Sequence, residues 1–257
     1  MILCVDVGNT NITMGIFKDK KLVLKTKIST DKGKTADEYA IEIFTMFRVY
    51  SIELSDVDGC IIGSVVPQVT SQLKEALKNL FGCTPLIVGA GIKTGLNIKI
   101  DSPETLGADL VVGCVAAAEL YPCPCIVICM GTATTICYMD KNKAMCGGAI
   151  MPGVSLSLNA LTTTSALLPS VSLDATKSVI GKNTNDCIKS GVVWGAVCML
   201  DGMIEKIEEE SKSNCTIVAS GDLSPVIVSH CKRKIIVKDD LVMQGLRIIY
   251  EKNKKSN

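Results

Sequence analysis

Ile2-Leu3-Cys4-Val5-Asp6-Val7-Gly8-Asn9-Thr10-Asn11-Ile12 opens the chain, and Ile126-Val127-Ile128-Cys129-Met130-Gly131-Thr132-Ala133-Thr134-Thr135 repeats its pattern near the middle. In each, an apolar run breaks into a tight turn of Gly, Asn and Thr, and a second apolar run follows (12–17 and 136–139). Such a run reads as a buried strand, and the short polar break makes each pair a hairpin. Glycine lets backbone approach a ligand closely, and Thr hydroxyls beside backbone N–H groups suit phosphate oxygens. One such turn is ordinary hairpin chemistry. Two, in matching positions of two halves, point to a duplicated fold that grips a polyphosphate between its lobes.

Working outward, residues 2–27 read as three strands joined by tight turns. The apolar spacing of Ala36, Tyr39, Ala40, Ile43, Phe44 and Phe47 predicts a helix over 35–47. A buried strand over 59–66 ends at Pro67, and a helix over 71–81 stops at Gly82. A short strand covers 85–88. The second half repeats the order: a helix over 103–120, strands over 125–130, 135–140 and 143–150, and helices over 153–163 and 185–211. Strands over 216–219 and 235–237 and a helix over 240–252 follow, with a polar, fraying tail over 252–257. No Pro/Gly/Ser linker separates the halves, which divide into lobes at 1–103 and 104–257. Strands alternating with helices imply sheets flanked by helices, an α/β architecture.

Composition narrows the function classes. The chain has 257 residues, 47% hydrophobic and 21% charged, with a net charge of +1. A large core is available, and scattered Lys and Arg give no basic face for nucleic acid. No run approaches the ~18 apolar residues that span a bilayer. The chain enters a strand without a preceding basic stretch, which reads as no signal peptide and a cytoplasmic protein. Thirteen cysteines are then expected to stay reduced, as small buried hydrophobes such as Cys4, Cys114, Cys137 and Cys198. The Cys123-Pro124-Cys125 cluster with Cys129 lacks paired C-x₂-C zinc spacing. Trp194 reads as core or dimer packing, and His230, the sole histidine, as non-catalytic.

The duplicated order resembles the actin-like (ribonuclease-H-like) ATPase fold of sugar kinases and heat-shock chaperones, in which two such hairpins clasp the nucleotide phosphates. A third turn, Ala219-Ser220-Gly221-Asp222, falls where that fold approaches the nucleoside. Narrower motifs occur in one order: Asp6-x-Gly8-Asn9-Thr10-Asn11, Thr35-Ala36-Asp37-Glu38-Tyr39, Ser64-Val65-Val66-Pro67, Gly107-Ala108-Asp109, Gly131-Thr132-Ala133-Thr134-Thr135, Gly147-Gly148-x-Ile150-x-Pro152-Gly153, Gly181-Lys182-Asn183-Thr184 and Gly245-Leu246-Arg247. Together they resemble the type III pantothenate kinases over nearly the whole chain. The resemblance implies ATP-dependent phosphorylation of the pantothenate hydroxyl, the first step to coenzyme A. It also implies a homodimer, Mg²⁺, and a monovalent cation such as K⁺ or NH₄⁺.

Carried over by position, the resemblance assigns the phosphate loop to Asp6, Val7, Gly8, Asn9, Thr10, Asn11, Ile12 and Thr13, with Thr132 in the second hairpin. Asp6 positions Mg²⁺, and Asp109 is the catalytic base. The substrate lies along Ile100, Gly107, Ala108, Asp109 and Leu110, with Thr184 reaching in from a partner subunit. Three positions depart from the family pattern. Its Gly-Ala-Asp-Arg ends in Leu110, its cation-ligating Asp is Cys129, and its Tyr before the Asp-Asn-Pro turn is Ile100. A neutral thiol is a poor ligand for a hard cation, and Leu110 removes a guanidinium fork suited to a carboxylate. The residues alone leave two alternatives open: a nucleotide-binding paralogue with a regulatory or structural role, and a kinase for a less acidic acceptor. Asp109 is expected at a helix N-terminus that lowers its pKa and keeps it ionised.

Overall fold

In the first unit, strand β1 (Ile2–Val7) lies at the centre of a five-stranded sheet. The computed structural model describes residues 1–165, 167–173 and 178–254. This unit takes residues 1–96, 102–116 and the segment from 241 onward. β2 (Asn11–Lys18) and β3 (Lys21–Ser29) run antiparallel on one side of β1; β4 (Gly59–Ser64) and β5 (Leu86–Ile87) run parallel on the other. Alternation along β1 gives the sheet two apolar faces. Leu3, Val5 and Val7 pack with Ile12, Met14, Ile16 and Ile62 against α1 (Ala36–Val49) and α2 (Pro67–Phe81) through Tyr39, Ile43, Phe47, Leu73 and Leu77. Thr35 and Glu38 close a capping box at the start of α1, which ties down two of its orphan N–H groups.

The opposite face carries Cys4, Asp6, Gly15, Gly59 and Gly63, and helix α7 (Leu241–Lys254) lies against it. Its Met243, Leu246 and Tyr250, one helical face, sit where Cβ atoms of Gly15, Gly63 and Gly59 would be. A Cβ at Gly59 would overlap the Tyr250 hydroxyl. The missing side chains are what let the helix approach the sheet. Arg247, 5% exposed, lies over the Phe17 ring and pairs with Glu251 at 2.7 Å.

The second unit takes residues 97–101 and 117–240. β7 (Cys125–Met130), β8 (Ala133–Met139) and β9 (Ala144–Pro152) form an antiparallel meander. β10 (Thr216–Ser220) and β11 (Ile236–Val237) extend it in parallel from β7, and the short β6 (Asn97–Ile98) pairs with β9. The order β9-β8-β7-β10-β11 reproduces β3-β2-β1-β4-β5. Its core joins Ile126, Ile128, Met130 and Ile217 to α4 (Val154–Thr164), α5 (Thr184–Ser211) and α6 (Ser224–Val228). Trp194 and His230 stack at 4.9 Å within this unit.

Several expectations are corrected. The helix expected over 103–120 is two elements: a 3₁₀ turn Pro103–Thr105, then α3 (Ala108–Leu120), divided at Leu106 and Gly107. The helix at 71 begins instead at Pro67, whose fixed φ suits the first position. Residues 252–254 complete α7 rather than fray, and 255–257 lie outside the described residues. Cys198 is exposed, not buried. α5, at 28 residues, is long and apolar enough to cross a bilayer, against the expectation of no such run. Here Val192, Val193, Val197, Leu200 and Ile204 bury its apolar face in the second core.

The glycine floor yields a prediction. Gly59→Ala should destabilise the fold by about 1–3 kcal/mol, the usual cost of overpacking, in urea denaturation. The loss should shrink when Tyr250→Phe removes the nearest atom. Unchanged stability in Gly59→Ala would show that α7 does not press on β4.

Candidate active site

β1 delivers Asp6 to the end of the first sheet and then turns. The Gly8 N–H donates to Asn11 O at 3.0 Å and closes the hairpin, leaving Asn9, Thr10 and Asn11 exposed at its tip. Strand register places Asp6 beside Thr13 on β2 and Gly63 on β4, with Lys27 on β3 next to Thr13. One row therefore reads Lys27, Thr13, Asp6, Gly63 across the sheet. Lys27 was not singled out in the sequence; only the pairing of β2 with β3 brings it into line.

Asp109 occupies the first turn of α3, in the same unit. Its carboxylate accepts from its own N–H and from that of Leu110, so it folds back over the helix start. A Cβ at Gly107 would overlap Asp109 Oδ1, so glycine there makes room for the carboxylate. The expectation of a lowered pKa is overturned. Burial raises the Asp109 pKa, and the two N–H bonds offset only part of that rise. Asp6 is pushed up to about 7, first by burial and then by the Asp109 charge, with Lys27 opposing.

Two oxygen-donor carboxylates with more negative charge than Lys27 offsets form a donor set that fits a hard divalent cation. A bound cation reverses the local pKa logic and favours both ionised forms.

In the second unit, the Gly131 N–H donates to Ala133 O, and the Gly153 N–H donates to Thr132 O, both at 3.0 Å. The second hairpin is thus tied to the end of β9. The Thr134 and Thr135 hydroxyls are buried without a partner among the described residues. The turn after β10 is closed by Ser224, whose N–H and Oγ–H both donate to Gly221 O. Ser220, Cys129 and Thr135 share one row across β10, β7 and β8, and Ser220 Oγ lies 3.6 Å from Cys129 Sγ. These neutral hydroxyls and a thiol do not fit a site that needs a carboxylate for a hard monovalent cation.

The remaining sequence-predicted residues are scattered. Leu110, next to Asp109, is 8% exposed, while Ile100 is half-buried in a bend of the second unit. Thr184 is exposed at the first turn of α5, whose N-cap Asn183 accepts from the Asp186 N–H. Thr30 was missed. Its Oγ1–H donates to Gly8 O at 2.7 Å and its N–H to Thr10 O at 3.0 Å. A threonine just past a strand end carries no sequence signal for such a bond.

The raised Asp6 pKa has a stability consequence. A carboxyl protonated more readily in the folded state stabilises it fully below pH ~4, and that contribution fades as pH rises through about 7. Asp6→Asn should therefore stabilise the ligand-free protein by about 2–4 kcal/mol above pH 8 and hardly at all at pH 4. Urea denaturation at both pH values checks this; parallel pH profiles for the two proteins would refute it.

A family model described as type III pantothenate kinase matches residues 2–206. A type III pantothenate kinase of Halalkalibacterium halodurans is 40% identical over 253 residues, covering 98% of this chain and 100% of the relative. One from Geotalea uraniireducens is 40% identical over 256 residues, covering 100% of both. The solved structure of a putative 2-dehydro-3-deoxygalactonokinase from Sinorhizobium meliloti is similar in fold, with a TM-score of 0.60 at 10% identity, covering 100% of this chain and 99% of that one. The paired mixed sheets are the actin-like ATPase fold expected from the sequence. With a family model matched over most of its length and relatives 40% identical from end to end, the chain belongs to the type III pantothenate kinase family.

Proposed function

We propose that this kinase transfers the γ-phosphoryl group of ATP to the primary hydroxyl of pantothenate, giving 4'-phosphopantothenate at the entry to coenzyme A synthesis. The observation that carries the mechanism is the pairing of Asp6 and Asp109 beside the 8–11 hairpin. The hairpin residues Asp6 to Thr13 hold the phosphates through backbone N–H groups and the Thr10 and Asn11 side chains, with Thr132 contributing from the second hairpin. Asp6 supplies an oxygen ligand and negative charge that suit Mg²⁺, which when bound neutralises charge on the phosphates. Asp109 accepts the proton of the attacking hydroxyl. Its ionised form is the one that accepts the proton, and burial raises its pKa in the cation-free site.

The acceptor lies along Gly107, Ala108 and Leu110. Leu110 offers no charge to the pantothenate carboxylate, so that contact comes from elsewhere, with Lys182 a candidate cation and Thr184 reaching in from the partner of a cytoplasmic homodimer. Cys129, Ser220 and Thr135 supply no anionic ligand, so turnover in this reading does not depend on K⁺ or NH₄⁺.

A coupled assay of ATP consumption with and without pantothenate tests the reading. Consumption should require pantothenate and a divalent cation. Replacing sodium by potassium should leave the rate unchanged, whereas a large increase would show that other groups rebuild the cation site. Asp109→Asn should remove turnover while preserving ATP binding, because proton acceptance is lost. The acid limb of kcat/KM should lie above the ordinary carboxylate pKa of about 4, since the base must be ionised and its pKa is raised. No pantothenate-dependent consumption under any condition would favour the paralogue or a less acidic acceptor, to which the apolar Leu110 and Ile100 are suited.

A further inference from the structure

We propose that Thr30 is a positioning residue for phosphate binding, and that Tyr39 in turn fixes Thr30. The inference rests on the reading that the 8–11 hairpin holds the ATP phosphates.

Thr30 follows β3 and bonds the hairpin twice. Its hydroxyl donates to Gly8 O at 2.7 Å, and its N–H donates to Thr10 O at 3.0 Å. In a trans peptide the N–H points opposite to the C=O of the same unit. Pinning Gly8 O therefore fixes the direction of the Asn9 N–H, and pinning Thr10 O fixes that of the Asn11 N–H. Both donors are aimed away from Thr30. The hairpin tip, Asn9, Thr10 and Asn11, is exposed. Exposed tips ordinarily sample several arrangements, and each costs affinity for a ligand that needs one of them.

The anchor of Thr30 lies in the core. Tyr39, fully buried on α1, donates its hydroxyl to Asp31 O at 2.6 Å and accepts from the Asp31 N–H at 3.2 Å. Both backbone polar groups of the residue next to Thr30 are thus held by one buried side chain. α1 is itself fixed at its start by Thr35 and Glu38. Two sets of hydrogen bonds, joined by the Thr30–Asp31 peptide link, run from Tyr39 in the first core to the peptide units of the hairpin. A loss at either step should act on nucleotide affinity rather than on the acceptor.

The test compares wild type with Thr30→Val, Thr30→Ser, Tyr39→Phe and Gly8→Ala, measuring the Kd for ATP with magnesium, KM for ATP and pantothenate, and Tm. Thr30→Val should raise Kd and KM for ATP about 3- to 10-fold, the range of one lost hydrogen bond, and leave KM for pantothenate unchanged. Thr30→Ser, which keeps the hydroxyl, should restore wild-type values. Tyr39→Phe should shift KM for ATP the same way, and it decides the matter if Thr30→Val does not fold. A lowered Tm with unchanged ATP constants in Thr30→Val, or failure of serine to rescue, would overturn the proposal. Gly8→Ala separates the two readings. If it weakens ATP binding while Thr30→Val does not, the hairpin reading stands and the Thr30 proposal falls. If it leaves ATP binding intact, the hairpin reading falls and takes the proposal with it.

Discussion

Asp6 and Asp109 are both largely out of water, with Asp6 within reach of the Asp109 charge and partly offset by Lys27. Burying carboxylates is costly unless they are paired, and the rest of the first unit maintains this arrangement. β1 is the central strand, so Asp6 is fixed from both sides by Thr13 and Gly63. α3 starts only after the 3₁₀ turn ends, and Gly107 clears the space that the Asp109 carboxylate fills. α7 rests on a floor of glycines and closes the same face of the sheet. These features hold two carboxylates together at a cost in stability that a bound cation would relieve. Such sites commonly store instability in exchange for activity.

Much of the fold was legible because its signals are local. Uninterrupted apolar runs gave the central strands, and the Gly-Asn-Thr and Gly-Thr turns gave both hairpins. The 3.6-residue spacing of Tyr39, Ile43 and Phe47 gave α1. The errors came where tertiary structure decides. Pro103 signalled a helix start, yet the chain makes one 3₁₀ turn and begins again at Ala108. β6 is two residues long and exists only because β9 offers it an edge. α5 passes a composition test for spanning a bilayer, yet its apolar residues line a core.

The site shows the same division. Asp6, the hairpin and Asp109 were named from motif and spacing. The sign of the Asp109 shift was not, because a helix start argues for a lower pKa while burial, invisible in the sequence, outweighs it. Lys27 enters through strand register, and Thr30 through a bond between segments 22 residues apart. The three departures from the family pattern were legible residue by residue. Their surroundings were not: strand register puts Cys129 in a row with Ser220 and Thr135.

The central claim is that Asp6 and Asp109 form one electrostatic unit at the end of β1. Its most direct test is carboxyl-carbon NMR titration of the ligand-free protein labelled at aspartate, with Asp6→Asn and Asp109→Asn supplying the assignments. The account predicts a carboxyl titrating near pH 7 that disappears in Asp6→Asn and moves downward in Asp109→Asn. Titration of every aspartate in the ordinary range, with neither variant affecting the other residue, would contradict it.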